Sequence, residues 1–303
     1  MIRAYKDTMH PDFTKPYFIV FGTSHTAGAC QNGDSKWLEY HEKWASKLEA
    51  HLGMPVYNLS RQGTINQRIT QILNDVVDEW DLSKCKGIII ECRLQNHGSA
   101  VSLSAFNDYK HFPIQTKDHL NRDLYSTMMY GDNDYAFNRF FSVYAGGKVR
   151  KPGYSKGLLS NAFQDKDLIP DQAVKDLDNY LEQRSNFYHR TDHQFWDDVN
   201  EIRNWRTMCK LAGIPFKWFN WSKVAVNGML VDWMVNEYSN VFDDNLLGVP
   251  ERRLKSAWEH IVDLGYKNDD PEIHCECKHL NALGNEITWQ ILKPRIDEWL
   301  KNK

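Results

Sequence analysis

Residues 17–28 read Tyr17-Phe18-Ile19-Val20-Phe21-Gly22-Thr23-Ser24-His25-Thr26-Ala27-Gly28. The apolar run Tyr17–Phe21, closed by Gly22, predicts a short strand buried on both faces. A polar turn bounded by Gly22 and Gly28 leaves it. Working outward, Trp37 to Leu52 carries helical spacing at Trp37, Leu38, Trp44, Leu48 and Leu52. Pro55-Val56-Tyr57-Asn58-Leu59 predicts a second strand. Ile65 to Trp80 predicts an amphipathic helix with Ile69, Ile72, Leu73, Val76 and Val77 on one side. Gly87-Ile88-Ile89-Ile90-Glu91-Cys92 predicts a third strand. Strand, helix, strand, helix, strand implies right-handed crossovers and a parallel sheet covered on both faces.

From about His97 to Arg190 the pattern breaks. The chain there is polar, aromatic and irregular, with turn signals at Gly146-Gly147-Lys148 and Lys151-Pro152-Gly153-Tyr154. A helix is expected from Pro170 to about Phe187. The stretch of about 98–190 reads as an insertion over the carboxyl ends of the strands. Alternation then resumes. Thr191 caps an expected helix Asp192–Ala212, ended by Gly213-Ile214-Pro215. Phe216-Lys217-Trp218-Phe219-Asn220-Trp221 reads as a fourth strand, and Asn281 caps the last helix. The expectation is one α/β domain over 1–303 with four or five parallel strands.

Composition limits the function classes. Of 303 residues, 42% are hydrophobic and 25% charged, ordinary for a globular chain. A formal charge of −3 supplies no basic field for nucleic acid. Apolar runs such as Gly87–Ile90 are too short to span a bilayer. The opening Met1-Ile2-Arg3-Ala4-Tyr5-Lys6-Asp7 is not a basic-then-apolar leader, so a cytoplasmic location is expected. Six cysteines are too sparse for a disulfide scaffold. With 11 Trp, 14 Tyr and 14 Phe, aromatics reach 13%, which suits stacking on sugar rings as well as a core.

Ligands of open parallel sheets bind at the carboxyl ends of the strands, so the segments leaving each strand hold the candidates. Ser24 leaves strand one in a glycine-bounded turn, where it can be a nucleophile or a helix cap. After strand two come Ser60-Arg61-Gln62-Gly63-Thr64-Ile65-Asn66, where Gly63 can offer a bare N–H to an anion. After strand three come Arg93-Leu94-Gln95-Asn96-His97, whose amides can donate to an oxyanion. Near the C-terminus, Glu276-Cys277-Lys278-His279 places a carboxylate three residues before a histidine that can serve a serine as base.

In this order the four segments resemble the SGNH (GDSL-like) hydrolase superfamily, which is frequent in bacteriophage genomes. Its nucleophile block Gly-Asp-Ser stands here as Gly22-Thr23-Ser24, with Thr23 in place of Asp. Its second block is matched by Asn58-Leu59-Ser60-Arg61-Gln62-Gly63. Its closing Asp-x-x-His stands as Glu276-x-x-His279, followed by Gly284. Its third block, Gly-x-Asn-Asp, is met only by Arg93-Leu94-Gln95-Asn96. Spacing from the strand selects Gln95 for the amide, and a one-residue shift selects Asn96, which is preferred.

The resemblance covers roughly residues 17–97 and 195–300. It implies a three-layer α/β/α sandwich of flavodoxin-like type and a serine esterase of the carboxylesterase or acetylesterase class. Ser24 is then the nucleophile, His279 the general base and Glu276 its orienting acid. Ser24 N–H, Gly63 N–H and Asn96 form the oxyanion hole. No cofactor or metal is needed, and the substrate is an acylated small molecule or glycan, with acetyl on a carbohydrate favoured. The alternative is a protein of the same scaffold that binds without turnover, such as a virion component.

Competing readings are weaker. His274-Cys275-Glu276-Cys277-Lys278-His279 gathers metal-ligating types, but no second pair at zinc spacing accompanies it. His25 is too close to Ser24 in sequence to act as its base. Asp243-Asp244 and Asp269-Asp270 read as solvated turns rather than a glycosidase pair, which needs carboxyls about 5–9.5 Å apart. Trp218, Phe219 and Trp221 are expected in the core, and Lys148, Arg150 and Lys151 on a solvated loop.

Overall fold

The computed structural model describes residues 12–32, 35–60, 66–94, 98–102, 140–144, 171–172, 174–179, 191–222, 228–249, 253–267, 270–276 and 278–302. Strand β1 (Tyr17–Phe21) leads into the one-turn helix α1 (Ser24–Ala27), the pair β2 (Ala29–Asn32) and β3 (Ser35–Trp37), and helix α2 (Trp44–Leu52). Then come β4 (Val56–Asn58), α3 (Asn66–Glu79), β5 (Cys85–Cys92), β6 (Gly98–Ser102) and β7 (Phe140–Tyr144). The order closes with α4 (Thr191–Leu211), β8 (Phe216–Asn220), α5 (Gly228–Glu237), α6 (Ser239–Phe242), α7 (Ala257–Asp263) and α8 (Ala282–Lys301).

The contacts divide the chain into two compact units. One comprises Pro11–Gln95 and Phe195–Lys303, and the other Asn96–Gln194 with Met1–His10. The second spans the stretch that the sequence analysis treats as an insertion. Within it β6 pairs antiparallel with β7, from Gly98↔Tyr144 to Ser102↔Phe140. Of the helix expected over 170–187, residues 171–172 and 174–179 are helical, and the remainder lies outside the described residues.

The first unit is an α/β structure around a four-stranded, all-parallel sheet ordered β4-β1-β5-β8. Its strands are buried because they are apolar on both faces, and all five residues of β1 are 0–1% exposed. Side chains alternate along a strand. Phe18 and Val20 therefore join Ile89 and Phe219 in one core with Trp44, Leu48, Ile287, Leu292 and Ile296. Tyr17, Ile19 and Phe21 face the other way. Ile69, Ile72, Leu73 and Val76 of α3, and Phe195, Val199, Ile202 and Trp205 of α4, are buried outside that core. Trp218 adds an isolated parallel bridge to Asn245, a vestige of a fifth strand.

Two expectations are corrected. The helix predicted over Trp37–Leu52 starts only at Trp44. Gly28, with a left-handed φ of 74°, ends α1, and Trp37 pairs with Ala29 across the β2–β3 ribbon that follows. Trp37 and Leu38 fit the helical spacing of α2 by coincidence, while Trp37 belongs to a strand. In addition, α5, α6 and α7 were not foreseen. The last of these begins at a capping box in which Ser256 and Glu259 satisfy each other's backbone N–H, at 2.9 and 3.2 Å. No helix among the described residues is long and apolar enough to cross a membrane.

From β1 the chain passes through α2 to β4 on one side, then through α3 to β5 on the other. The carboxyl ends of β1 and β5 therefore flank the point where the winding reverses, the usual ligand crevice of such sheets.

Candidate active site

Ser24 sits at that point as the first residue of α1, with its residue 6% exposed. Side chains from the neighbouring strands hold this turn. Asn58, the last residue of β4, donates from Nδ2 to the Thr26 carbonyl at 3.0 Å. Trp44 Nε1–H donates to Thr26 Oγ1 at 3.1 Å.

The third tie is a carboxylate that the sequence analysis did not single out. Glu91, on β5, is 0% exposed. Its Oε1 accepts from Thr23 Oγ1 at 2.5 Å, and its Oε2 accepts from the Thr26 backbone N–H at 3.0 Å and from Thr26 Oγ1. The residues on both sides of Ser24-His25 are thus tethered to one buried acid. Gly22 permits this approach, since a Cβ there would lie 2.7 Å from Thr26 Cβ and 2.9 Å from Glu91 Oε2. The legible signal was a lone acid near the end of an otherwise apolar central strand.

His279 reaches the site from the C-terminal part of the chain, with Nε2 2.9 Å from Ser24 Oγ. It is carried on a tight turn closed by Lys278 N–H donating to Cys275 O at 2.8 Å. Lys278 takes the left-handed φ of 64°. The His279 carbonyl accepts from the Cys275 N–H at 2.9 Å and its thiol at 3.2 Å. Asn281 caps α8 by accepting from Gly284 N–H at 3.0 Å, which fixes the chain just beyond His279.

Glu276 lies exposed on this turn and makes no hydrogen bond or ion pair among the described residues, so the structure does not bring it to His279. Gly63, Gln95 and Asn96 lie outside the described residues, as does Cys277. Among the described residues no group of three His, Cys, Asp or Glu could hold a metal ion.

His25 follows Ser24 in α1 and is buried. It stacks on Trp221 with ring centroids 4.1 Å apart and planes at 20°, and lies 5.3 Å from the His279 ring. Burial, then the charges of Arg93, His279 and His274, hold its pKa well below the ordinary imidazole value. It is therefore neutral at physiological pH. Trp218, Phe219 and Trp221 are buried, as the sequence suggested. Asp243 and Asp244 serve ion pairs with Arg253, Arg206 and Lys217.

The strand end beside Ser24 is clamped as well. Asn66 Oδ1 accepts from the Arg93 N–H at 3.3 Å, and Asn66 Nδ2 donates to the Arg93 carbonyl at 2.9 Å and to Asp198 at 2.7 Å. The Leu94 N–H donates to Asn220 Oδ1 at 3.1 Å. The arrangement offers a serine hydroxyl within hydrogen-bond reach of an imidazole, on a turn whose backbone is anchored to β4 and β5. No model of a known protein family matches the chain, and no curated protein matches it.

Proposed function

We propose that this protein is a serine esterase of SGNH type, with its parallel sheet wound in the flavodoxin-like manner, that hydrolyses an acyl ester through an acyl-enzyme. The observation that carries the reading is the 2.9 Å separation of His279 Nε2 and Ser24 Oγ at the carboxyl end of β1. A hydroxyl is a weak nucleophile until a base takes its proton.

Ser24 Oγ attacks the acyl carbonyl carbon while His279 Nε2 accepts the hydroxyl proton. The carbonyl oxygen becomes an oxyanion. The Ser24 N–H, in the first turn of α1 where a helix offers no acceptor, is one donor to it. Gly63 N–H and the Asn96 (or Gln95) amide are the others by resemblance. Protonated His279 then gives its proton to the departing alcohol, leaving the acyl group on Ser24. Water repeats the sequence and releases the acid. Ser24 and His279 act as a dyad in this reading, because Glu276 is exposed and unbonded. The aromatic content favours a small acyl group, such as acetyl, on a carbohydrate.

The test is labelling by a fluorophosphonate together with hydrolysis of 4-nitrophenyl acetate, in the natural chain and in Ser24→Ala and His279→Ala. Labelling and turnover that both variants lose support the reading. No labelling between pH 6 and 9 replaces it with a non-catalytic binding or structural protein.

A further inference from the structure

Arg93 directly follows β5, whose neighbour β1 leads into Ser24. Alternation places Arg93 on the face of Ile89 and Glu91, one pleat beyond the carboxylate that binds Thr23 and Thr26. Its backbone is clamped on both sides of the peptide by Asn66, so its position is set before any ligand arrives.

The guanidinium is the exception among the described arginines. Arg206 and Arg253 pair with aspartates, Arg295 with Glu298, Arg68 with Gln71, and Arg203 with Asn200 and the Tyr238 ring. Arg93 forms no ion pair among the described residues, and its buried Nε–H has no partner. The acid beside it is already committed to the two threonines. A buried guanidinium N–H without a partner is unfavourable, and a planar fork of N–H donors is shaped for a carboxylate. The Arg93 charge also reaches His25, the residue adjoining the nucleophile.

We infer that Arg93 is an anion anchor of the Ser24 site, and that the ester this site takes carries a carboxylate close to its acyl carbonyl. On a glycan that means an acylated acidic sugar rather than a neutral one. The inference rests on the esterase reading for where the acyl carbonyl lies. The carboxylate belongs either to the alcohol half or to the acyl half, and paired probes distinguish the two.

In Ser24→Ala, which cannot turn over, calorimetry compares 4-acetoxybenzoate with uncharged 4-acetoxybenzamide. It then compares mono-4-nitrophenyl glutarate with 4-nitrophenyl butyrate. The expected result is a preference of about 10- to 100-fold for the anionic member of one pair, the range of a charge-assisted hydrogen bond. Arg93→Gln added to Ser24→Ala abolishes it, and Arg93→Lys retains part of it. The preference also shrinks as salt rises. In the natural chain, the anionic-to-neutral ratio of kcat/KM falls by the same factor in Arg93→Gln.

Equal binding of both members of both pairs overturns the inference. So does a preference that survives Arg93→Gln in a variant whose melting temperature is unchanged. Because binding is read in Ser24→Ala, a natural chain that hydrolyses no ester sinks the esterase reading while the anion preference is still decided.

Discussion

His279 Nε2 and Ser24 Oγ lie 2.9 Å apart although 255 positions separate them in the chain. The first stands on a tight turn just before α8, the second on the turn leaving β1. Both turns are fixed by bonds of their own, so the pair is preorganised rather than assembled by a ligand.

On the esterase reading, removing either member should remove catalysis without unfolding the protein. Ser24→Ala and His279→Ala are expected to lower 4-nitrophenyl acetate hydrolysis by about 10²–10⁴-fold, with melting temperatures within a few degrees of the natural chain. Glu276→Gln should cost far less. A loss in Glu276→Gln equal to that in His279→Ala would show a triad in solution.

On the esterase reading the base works only when its imidazole is neutral, so kcat/KM should rise with pH as His279 loses its proton. His25 is not expected to add a second step, because burial holds its pKa well below the ordinary imidazole value. One inflection between pH 5 and 8 is expected. A flat profile would remove histidine from the mechanism.

Glu91 holds the turn that carries Ser24 through Thr23 and Thr26. Glu91→Gln puts an amide donor against two threonine hydroxyls and the Thr26 N–H, and should destabilise the fold by about 1–3 kcal/mol. It should also lower kcat more than it raises KM, because Ser24 loses its placement. Denaturant unfolding and steady-state kinetics read the two effects. A kcat at the natural level would make Glu91 a purely structural residue.

Gly22→Ala tests the same packing from the other side. The new Cβ would meet Thr26 and Glu91 at 2.7–2.9 Å, so the turn must move. Overpacking of this kind costs about 1–3 kcal/mol. Fluorophosphonate labelling should slow in step with the loss of stability. Unchanged labelling would mean that the turn tolerates the shift.

Lys43 gives a pH signature of stability. Its stem packs on Gly28, and burial lowers its ammonium pKa to about 8 from 10.5. Between these values the unfolded chain binds more protons than the folded one, so this residue makes stability rise with pH. Below about 8 the full cost of the buried charge is present. Lys43→Met should therefore be more stable than the natural chain at pH 7, and the difference should shrink as pH rises towards 10.5. Tyr17 and Tyr40, pushed up by burial, weaken both proteins equally at high pH. A difference independent of pH would contradict the lowered value.

The local elements were readable because their causes are local. Apolar runs with β-branched and aromatic residues marked β1, β4, β5 and β8 to within two residues. Apolar spacing marked α3, Thr191 and Gly213-Ile214-Pro215 marked the ends of α4, and Asn281 marked the start of α8. The β2–β3 ribbon escaped because Trp37 also fits the apolar spacing that continues into α2. Short α6 and α7 offer too few turns for a period to emerge.

The site divides along the same line. Ser24, on a glycine-bounded turn after a strand, could be named from sequence alone, and His279 could be named as a candidate. Their meeting depends on sheet order, because only a winding that reverses between β1 and β5 opens the crevice at that edge. Glu91 and Arg93 are residue types common on any surface. Burial beneath one turn made the first a tether, and the commitment of that acid to Thr23 and Thr26 left the second without an ion pair among the described residues. Local periodicity determines which segments become strands and helices, whereas the partners of a buried charge are set by segments distant in the chain.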